Sequence, residues 1–163
     1  MIALKNILVA TDYSEPSGVA LEYGRNLARS YGATLHVFHV VEDVTMRYAS
    51  EFTAALPDIQ RDLEKAAQLD MGKLITADDR QTLPLVTAVE THLTVAGGIT
   101  DYAKTNRIDL IIVGTHGRGA FKQFILGSAA ERVVRTAPCP VLTVREHERD
   151  FIGPDQLVAV AKA

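Results

Sequence analysis

The chain has 163 residues, 47% of them apolar and 23% charged, a balance that suits one soluble domain with one sizeable core and excludes wholesale disorder and collagen-like or mucin-like sequence. Seventeen basic against twenty acidic side chains give a formal net charge of −3 with no Lys/Arg run, so the electrostatic footprint of a general nucleic-acid binder is missing and no nucleic-acid partner is expected. A single cysteine can neither close an intramolecular disulfide nor build a multi-thiolate metal site.

The N-terminal apolar run is interrupted by Lys5 and Asn6 and followed at once by Asp12, unlike a secretory signal. No apolar run approaches the ~20 residues of a bilayer span, so no membrane insertion is expected and the expected setting is soluble, reducing and cytoplasmic. Residues 5–10 (Lys-Asn-Ile-Leu-Val-Ala) form a short apolar segment ended by Thr-Asp-Tyr-Ser, as for a strand buried on both faces. Ser14, Glu15 and Pro16 then announce a helix. Val19, Ala20, Tyr23, Leu27 and Ala28 recur down one face of it, and Gly32 supplies a stop.

Residues 33–41 give a second strand closed by Glu42-Asp43. Residues 44–56 carry Met46, Tyr48 and Phe52 with no clean period and read as a mobile excursion. Pro57-Asp58 opens a helix running to about Leu74, which residues 77–80 break. Residues 86–95 read as a third strand, with Gly97-Gly98 preceding a short helix over 99–105. Asp109-Leu-Ile-Ile-Val113 is the clearest strand; after it come a glycine-rich loop to Gly127, a helix over 129–136 and a last strand over 140–144.

Five strands separated by helical segments predict an α/β fold: an open, mostly parallel five-stranded sheet with helices on both faces, because parallel neighbours need crossover connections. Ligands of such sheets sit beyond the carboxyl ends of the strands, where strand order reverses. The places to search are therefore residues 10–12, 40–43 and 114 onward.

The segment Gly114-Thr-His-Gly117-Arg-Gly-Ala-Phe-Lys-Gln-Phe-Ile-Leu-Gly127-Ser128 leaves a strand and enters a helix. Its glycines allow close backbone approach, a turn built this way can aim several N–H groups inward, and the helix offers the positive end of its dipole, three features that suit an anion. The Walker pattern G-x-x-x-x-G-K-[ST] is absent. At this segment the chain resembles the universal stress protein family, specifically its ATP-binding branch, whose signature G-x2-G-x9-G-[ST] is met by Gly114, Gly117, Gly127 and Ser128. The similarity extends to Lys-Asn-Ile-Leu-Val-Ala-Thr-Asp-Tyr-Ser at the start, to His-Val-Val-Glu after the second strand, and to residues 127–144.

The resemblance implies a Rossmann-like fold of the adenine nucleotide alpha hydrolase-like type, in a family domain over residues 1–145 with a C-terminal tail over 146–163. It implies ATP as ligand, with a divalent cation, Mg or Mn, as a possible companion. Ala10, Thr11 and Asp12 would line the nucleotide, the Val40 backbone would meet adenine, and Gly114, His116, Gly117, Arg118, Gly127, Ser128 and Ala129 would surround ribose and phosphates. The implied activity is that of a stress-response regulator acting through conformation or an unidentified protein partner, as a homodimer paired through the last strand. The alternatives are an ATP-independent dimeric interaction module and a slow ATPase.

Each residue also has a purely structural role open to it. Ser128-Ala-Ala-Glu131 has the form of a capping box, the glycines can serve loop flexibility, and Asp12 can stabilise the turn into the first helix. His36 and His39, three apart on a strand, point to opposite faces and read as structural rather than as a metal pair. His116 stands within reach of phosphate or in solvent, and Cys139 reads as a packed small apolar residue. No Gly-x-Ser-x-Gly elbow, zinc-type His-x-x-x-His or His-x-Gly-His motif of adenylyl transfer occurs, and no catalytic residue is assigned.

Overall fold

The computed structural model describes residues 3–48, 55–115 and 127–145. Eleven elements follow in chain order: β1 (Asn6–Ala10), α1 (Glu15–Tyr31), β2 (Thr34–Glu42), α2 (Val44–Arg47), α3 (Leu56–Leu74), α4 (Ala77–Thr82), β3 (Leu85–His92), α5 (Val95–Thr105), β4 (Leu110–Gly114), α6 (Ser128–Thr136) and β5 (Val141–Val144). The strands form one sheet in the order β3-β2-β1-β4-β5, and each neighbouring pair is parallel. The expectation of a mostly parallel sheet thus becomes an entirely parallel one among the described strands.

Period-two alternation sorts the two faces of this sheet. Ile7 and Val9 of β1, with Leu35, Val37 and Ile112, pack against Ala20, Leu21 and Ala28 of α1 and Met71 of α3. Leu8, Phe38, Val40, Ile111 and Val113 pack on the other face against Ile99, Tyr102 and Ala103 of α5 and Ala130 and Val133 of α6. Both faces of the central strands are covered, so Ile7, Leu8 and Val9 are wholly buried and the strand reads as a continuous apolar run. His36 and His39 do point apart: His36 Nδ1 lies 3.1 Å from the Tyr102 hydroxyl on α5, whereas His39 Nδ1 lies 2.8 Å from the Thr11 carbonyl and its ring stacks on Tyr13.

The helices depart from the sequence expectation at three places. α5 begins at Val95 rather than at 99, because Thr94 accepts the Gly97 N–H at 3.1 Å and caps the helix ahead of both glycines. The stretch 77–80 is itself helical: Thr76 and Asp79 form a reciprocal capping box that starts α4. Residues 44–47 form the short helix α2, whose first N–H groups Asp43 caps through Oδ1 at 2.9 Å from Thr45 N and 3.1 Å from Met46 N. Leu56, the last residue of the expected excursion, already begins α3, and residues 49–54 lie outside the described residues.

Beneath α1, Arg25 joins three segments. Its Nε and Nη2 donate to Asp79 Oδ1 and Oδ2 at 2.7 and 2.6 Å, Nη2 reaches the Leu74 carbonyl at 3.2 Å, and Nη1 pairs with Glu22. Asp79 is 2% exposed. The pair fastens the α3–α4 junction to α1, the helix that descends from the turn after β1.

Candidate functional site

β1 pairs with β2 on one side and β4 on the other. The chain therefore winds outward in both directions from this pair, and the crevice beyond the carboxyl ends of β1 and β4 is the topological switch point. Ala10 lies beside Val113 in register, which brings residues 10–12 and Gly114 to the same end of the sheet.

The turn leaving β1 is tightly held. Thr11 N donates to the Phe38 carbonyl at 2.9 Å, the Thr11 hydroxyl meets Ser17 Oγ at 3.0 Å, and Tyr13 N donates to Thr11 Oγ1 at 3.0 Å. Tyr13 takes a left-handed backbone, φ 63°, a conformation uncommon for a bulky residue. Two contacts hold it there: its hydroxyl donates to the Ala67 carbonyl at 2.7 Å and its ring lies 4.5 Å from that of His39. Asp12 Oδ1 accepts from Ser14 N at 3.1 Å and from the Ser14 hydroxyl. Asp12 thus does stabilise the turn into α1, and Ser14, although at the N-cap of α1, makes no side-chain cap bond to the helix.

Val40 lies two residues beyond the end of the β1–β2 ladder, which closes at Ala10 opposite Phe38. Thr34 N and the Phe38 carbonyl both bond toward β1, and Leu35 N bonds to Pro84, away from it. By that alternation the Val40 N–H and carbonyl face past the end of β1 into the crevice. The Thr11 carbonyl that would have continued the ladder meets His39 Nδ1 instead.

On the β4 side, Thr115 N donates to the Val144 carbonyl at 2.9 Å and the Thr115 carbonyl accepts from Gly127 N at 2.7 Å. The chain therefore leaves β4 and returns to the same point, delivering the start of α6 to the switch point. His116, Gly117 and Arg118 fall between, outside the described residues. The capping box read at 128–131 does not form. Gly127 is the N-cap and carries no side-chain cap bond, Glu131 pairs with Arg135 at 2.7 Å, and the Ser128 hydroxyl makes no hydrogen bond among the described residues. The first N–H groups of α6 form the positive end of a nine-residue helix.

A groove of about 800 Å³ is lined by Ser128, Ala129 and Arg132 of α6, by Thr94, Val95 and Ala96 at the start of α5, and by Glu42, Asp43 and Arg47. The Thr45 hydroxyl and the Met46 N–H hold the Asp43 carboxyl below its ordinary pKa, so it is charged at neutral pH. Tyr13, Thr94 and Arg132 were not singled out from the sequence. A left-handed φ at a tyrosine has no sequence signature, and Arg132 becomes relevant only once α6 is placed against α5.

Gly114 has a packing duty as well. A Cβ there would stand 3.0 Å from the backbone of Pro16 and 3.2 Å from Ser17 N. Cys139 is half-buried against the α5/α6 core, and burial pushes its thiol pKa up, as fits a packed apolar residue. Among the described residues no helix is long and apolar enough to cross a membrane, and no cluster of three His, Cys, Asp or Glu could hold a metal ion.

A wholly parallel sheet in this order, with a helix N-terminus opening at the reversal point, defines a doubly wound α/β protein of the Rossmann-like class. Residues 3–145 match the sequence model of the universal stress protein family, and the chain belongs to that family. Universal stress protein A homolog 1 of Coxiella burnetii is 31% identical over 146 residues, covering 86% of this chain and 95% of that protein. The structure of universal stress protein UspA from Lactobacillus plantarum superposes with a TM-score of 0.70 at 28% identity, over 89% of this chain and all of that one. A universal stress protein from Archaeoglobus fulgidus, solved in complex with dAMP, shares the fold at a TM-score of 0.61 and 18% identity, over 88% of this chain and 99% of that one.

Proposed function

We propose that this chain is an ATP-binding member of its family and acts as a cytoplasmic stress-response regulator, with ATP setting its conformation or its preference for a protein partner. The observation that carries this reading is the N-terminus of α6, with Ser128 at its first position and no side-chain cap bond at Gly127, returned to the switch point by the Thr115–Gly127 hydrogen bond. The Val40 backbone facing past β1 offers a donor and an acceptor suited to the edge of adenine. Ala10, Thr11, Asp12 and Gly114 line the crevice between these two features, and Gly127 and Ala129 flank Ser128. His116, Gly117 and Arg118, which the family resemblance implies, would complete the phosphate site. The family relative with dAMP supports an adenine nucleotide as the ligand class.

A divalent cation, Mg or Mn, would be carried chiefly by the phosphates, since the described residues offer no three-ligand cluster. Residues 1–145 form the nucleotide-binding domain, the tail 146–163 is an appendage, and β5, an edge strand, pairs with its copy in a homodimer. Micromolar affinity, about −8 kcal/mol, is the expected strength. Calorimetry on Gly117→Val should show binding lost with the circular dichroism spectrum unchanged, because a branched side chain blocks close approach of phosphate to the loop backbone. Equal affinity in variant and parent would refute this assignment of the loop.

A further inference from the structure

His92, the last residue of β3, stands where the gain of one proton changes a set of hydrogen bonds. Its Nδ1 lies 3.0 Å from the Thr94 carbonyl oxygen and 3.2 Å from the Thr94 nitrogen, and its Nε2 lies 3.3 Å from Asp101 Oδ2 on α5. One ring nitrogen cannot accept from the N–H and donate to the carbonyl at once. With the Asp101 carboxylate taking the Nε2 proton, Nδ1 accepts from the Thr94 N–H while the ring is neutral and donates to the Thr94 carbonyl once the ring is protonated. Both partners belong to the residue that starts α5. Thr94 is its N-cap: the hydroxyl takes the Gly97 N–H at 3.1 Å, and the carbonyl takes the Gly98 N–H at 3.0 Å, the first bond of the helix. Protonation therefore releases the Thr94 N–H and adds a second donor to the carbonyl that already holds Gly98.

The ring is seated as well as bonded. A Cβ on Gly97 would stand 2.5 Å from His92 Cε1, and one on Gly98 would stand 3.2 Å from His92 Cβ, so the glycine pair gives the imidazole its place against the first turn. That turn lines the groove through Thr94, Val95 and Ala96. The His92 carbonyl meanwhile accepts the Asp43 N–H at 3.0 Å, so one residue is bonded to two of the segments that line the groove. The charged groups around the ring are Asp101 and its partner Lys104 on α5, and Glu42, opposite His92 in the β2–β3 register, with its partner Arg47. Asp43 adjoins Glu42, Glu90 lies two residues back on the same face of β3, and Arg132 of α6 lines the same groove. The other imidazole against α5 is His36, which meets Tyr102.

We propose that His92 is a proton-operated clasp on the start of α5, which gives the groove two arrangements selected by pH. The side chain is 33% exposed, so solvent protons reach it without unfolding. Any ligand that favours one arrangement shifts the proton equilibrium of the ring, and the proton shifts the affinity for that ligand by the same factor. The clasp is independent of which ligand the groove takes.

The test is NMR spectroscopy of the isotope-labelled full chain between about pH 5 and 8, following the His92 ring nitrogens and the amides of residues 94–98. The neutral ring is expected to carry its proton on Nε2, and the amides of Thr94, Val95, Ala96, Gly97 and Gly98 to move together with the ring as it titrates. In His92→Gln, which keeps a hydrogen-bonding side chain that does not titrate, this movement should be lost, whereas in His36→Phe it should persist. Gly97→Ala, a change that favours helix, displaces the ring; His92 should still titrate there while the amides of Val95 and Ala96 no longer follow it. Amides at 94–98 that stay still while the ring titrates, or that move alike in the parent and in His92→Gln, overturn the clasp. A neutral ring protonated on Nδ1 overturns it as well.

Discussion

The Arg25–Asp79 pair allows a magnitude to be worked out before any measurement. Asp79→Ala removes a carboxylate that takes two guanidinium hydrogen bonds at 2.6 and 2.7 Å and a third from Thr76 N at 2.9 Å. Arg25 stays 91% buried, since it is 9% exposed, and keeps only Glu22 and the Leu74 carbonyl. Breaking one side of a buried pair costs about 3–5 kcal/mol, and the lost capping bond about 1 kcal/mol more. Glu22, itself 61% exposed, offsets part of this, so a net loss of about 3–5 kcal/mol is expected. For a chain of this size each kcal/mol moves Tm by roughly 2–4 °C, which places the fall at about 6–20 °C in scanning calorimetry.

The same pair has a pH signature. Burial pushes the Asp79 carboxyl pKa up, but hydrogen bonds from Arg25 and from the Thr76 backbone outweigh it and hold the group below its ordinary value. A folded pKa below the unfolded one contributes stability that is present above about pH 3.9 and lost as pH falls through the folded value. Parent and Asp79→Ala should therefore converge in stability only in strong acid. Replacing both partners by apolar residues, Arg25→Met with Asp79→Leu, should cost far less than Asp79→Ala alone. A single variant within 1 kcal/mol of the parent at pH 7 would refute the reasoning.

Gly98→Ala is expected to weaken ATP severalfold while the fold persists, because its Cβ would lie 2.8 Å from Val40 Cγ2 and push the strand whose backbone is proposed to meet adenine; calorimetry reads it. Burial lowers the His36 pKa, so its neutral form contributes stability that is full above about pH 6.5 and lost as pH falls toward the folded value, and His36→Phe should flatten thermal stability between pH 5 and 7. Light scattering should find a dimer for the parent and a monomer or unfolded chain for Leu142→Lys, since β5 is the edge strand of the described sheet; a parent monomeric at high micromolar concentration rejects this interface. Turnover of ATP should stay well below the ~10 s⁻¹ median of enzymes, and a steady-state rate of several per second, abolished by a loop substitution, would reveal a catalytic group not assigned above.

The sheet was legible because its signal is redundant. Residues 109–113 and 5–10 are apolar runs too short for helices, and alternation with helical periods leaves a parallel arrangement as the natural solution. Capping was less legible. Thr76 with Asp79, and Thr94 ahead of two glycines, start helices where the composition of 77–80 and 97–98 suggests a break. The reverse error occurred at Ser128, whose spacing to Glu131 satisfies the capping-box pattern although the helix begins one residue earlier, at a Gly127 N-cap. A one-residue shift of the cap takes the Ser128 hydroxyl out of the capping role, and sequence spacing does not resolve that difference.

The glycines of the signature therefore divide by physical cause. At Gly114 the crowding comes from the protein itself: the backbone of Pro16 stands 3.0 Å from the place of a Cβ. That contact seats the N-terminus of α1 over the carboxyl end of β4, and so fixes where the 11–14 turn and Asp12 stand relative to α6. Gly127 has an ordinary φ of −56°, so its conformation demands no glycine, and what it supplies at the N-cap is a position without a side chain. The two positions are coupled by the hydrogen bonds at Thr115, which tie the end of β4 to the start of α6. Gly114→Ala should consequently lower thermal stability as well as affinity, whereas Gly127→Ala should lower affinity with little change in Tm. Equal losses of stability at the two positions, read by parallel melts and titrations, would remove this division of roles.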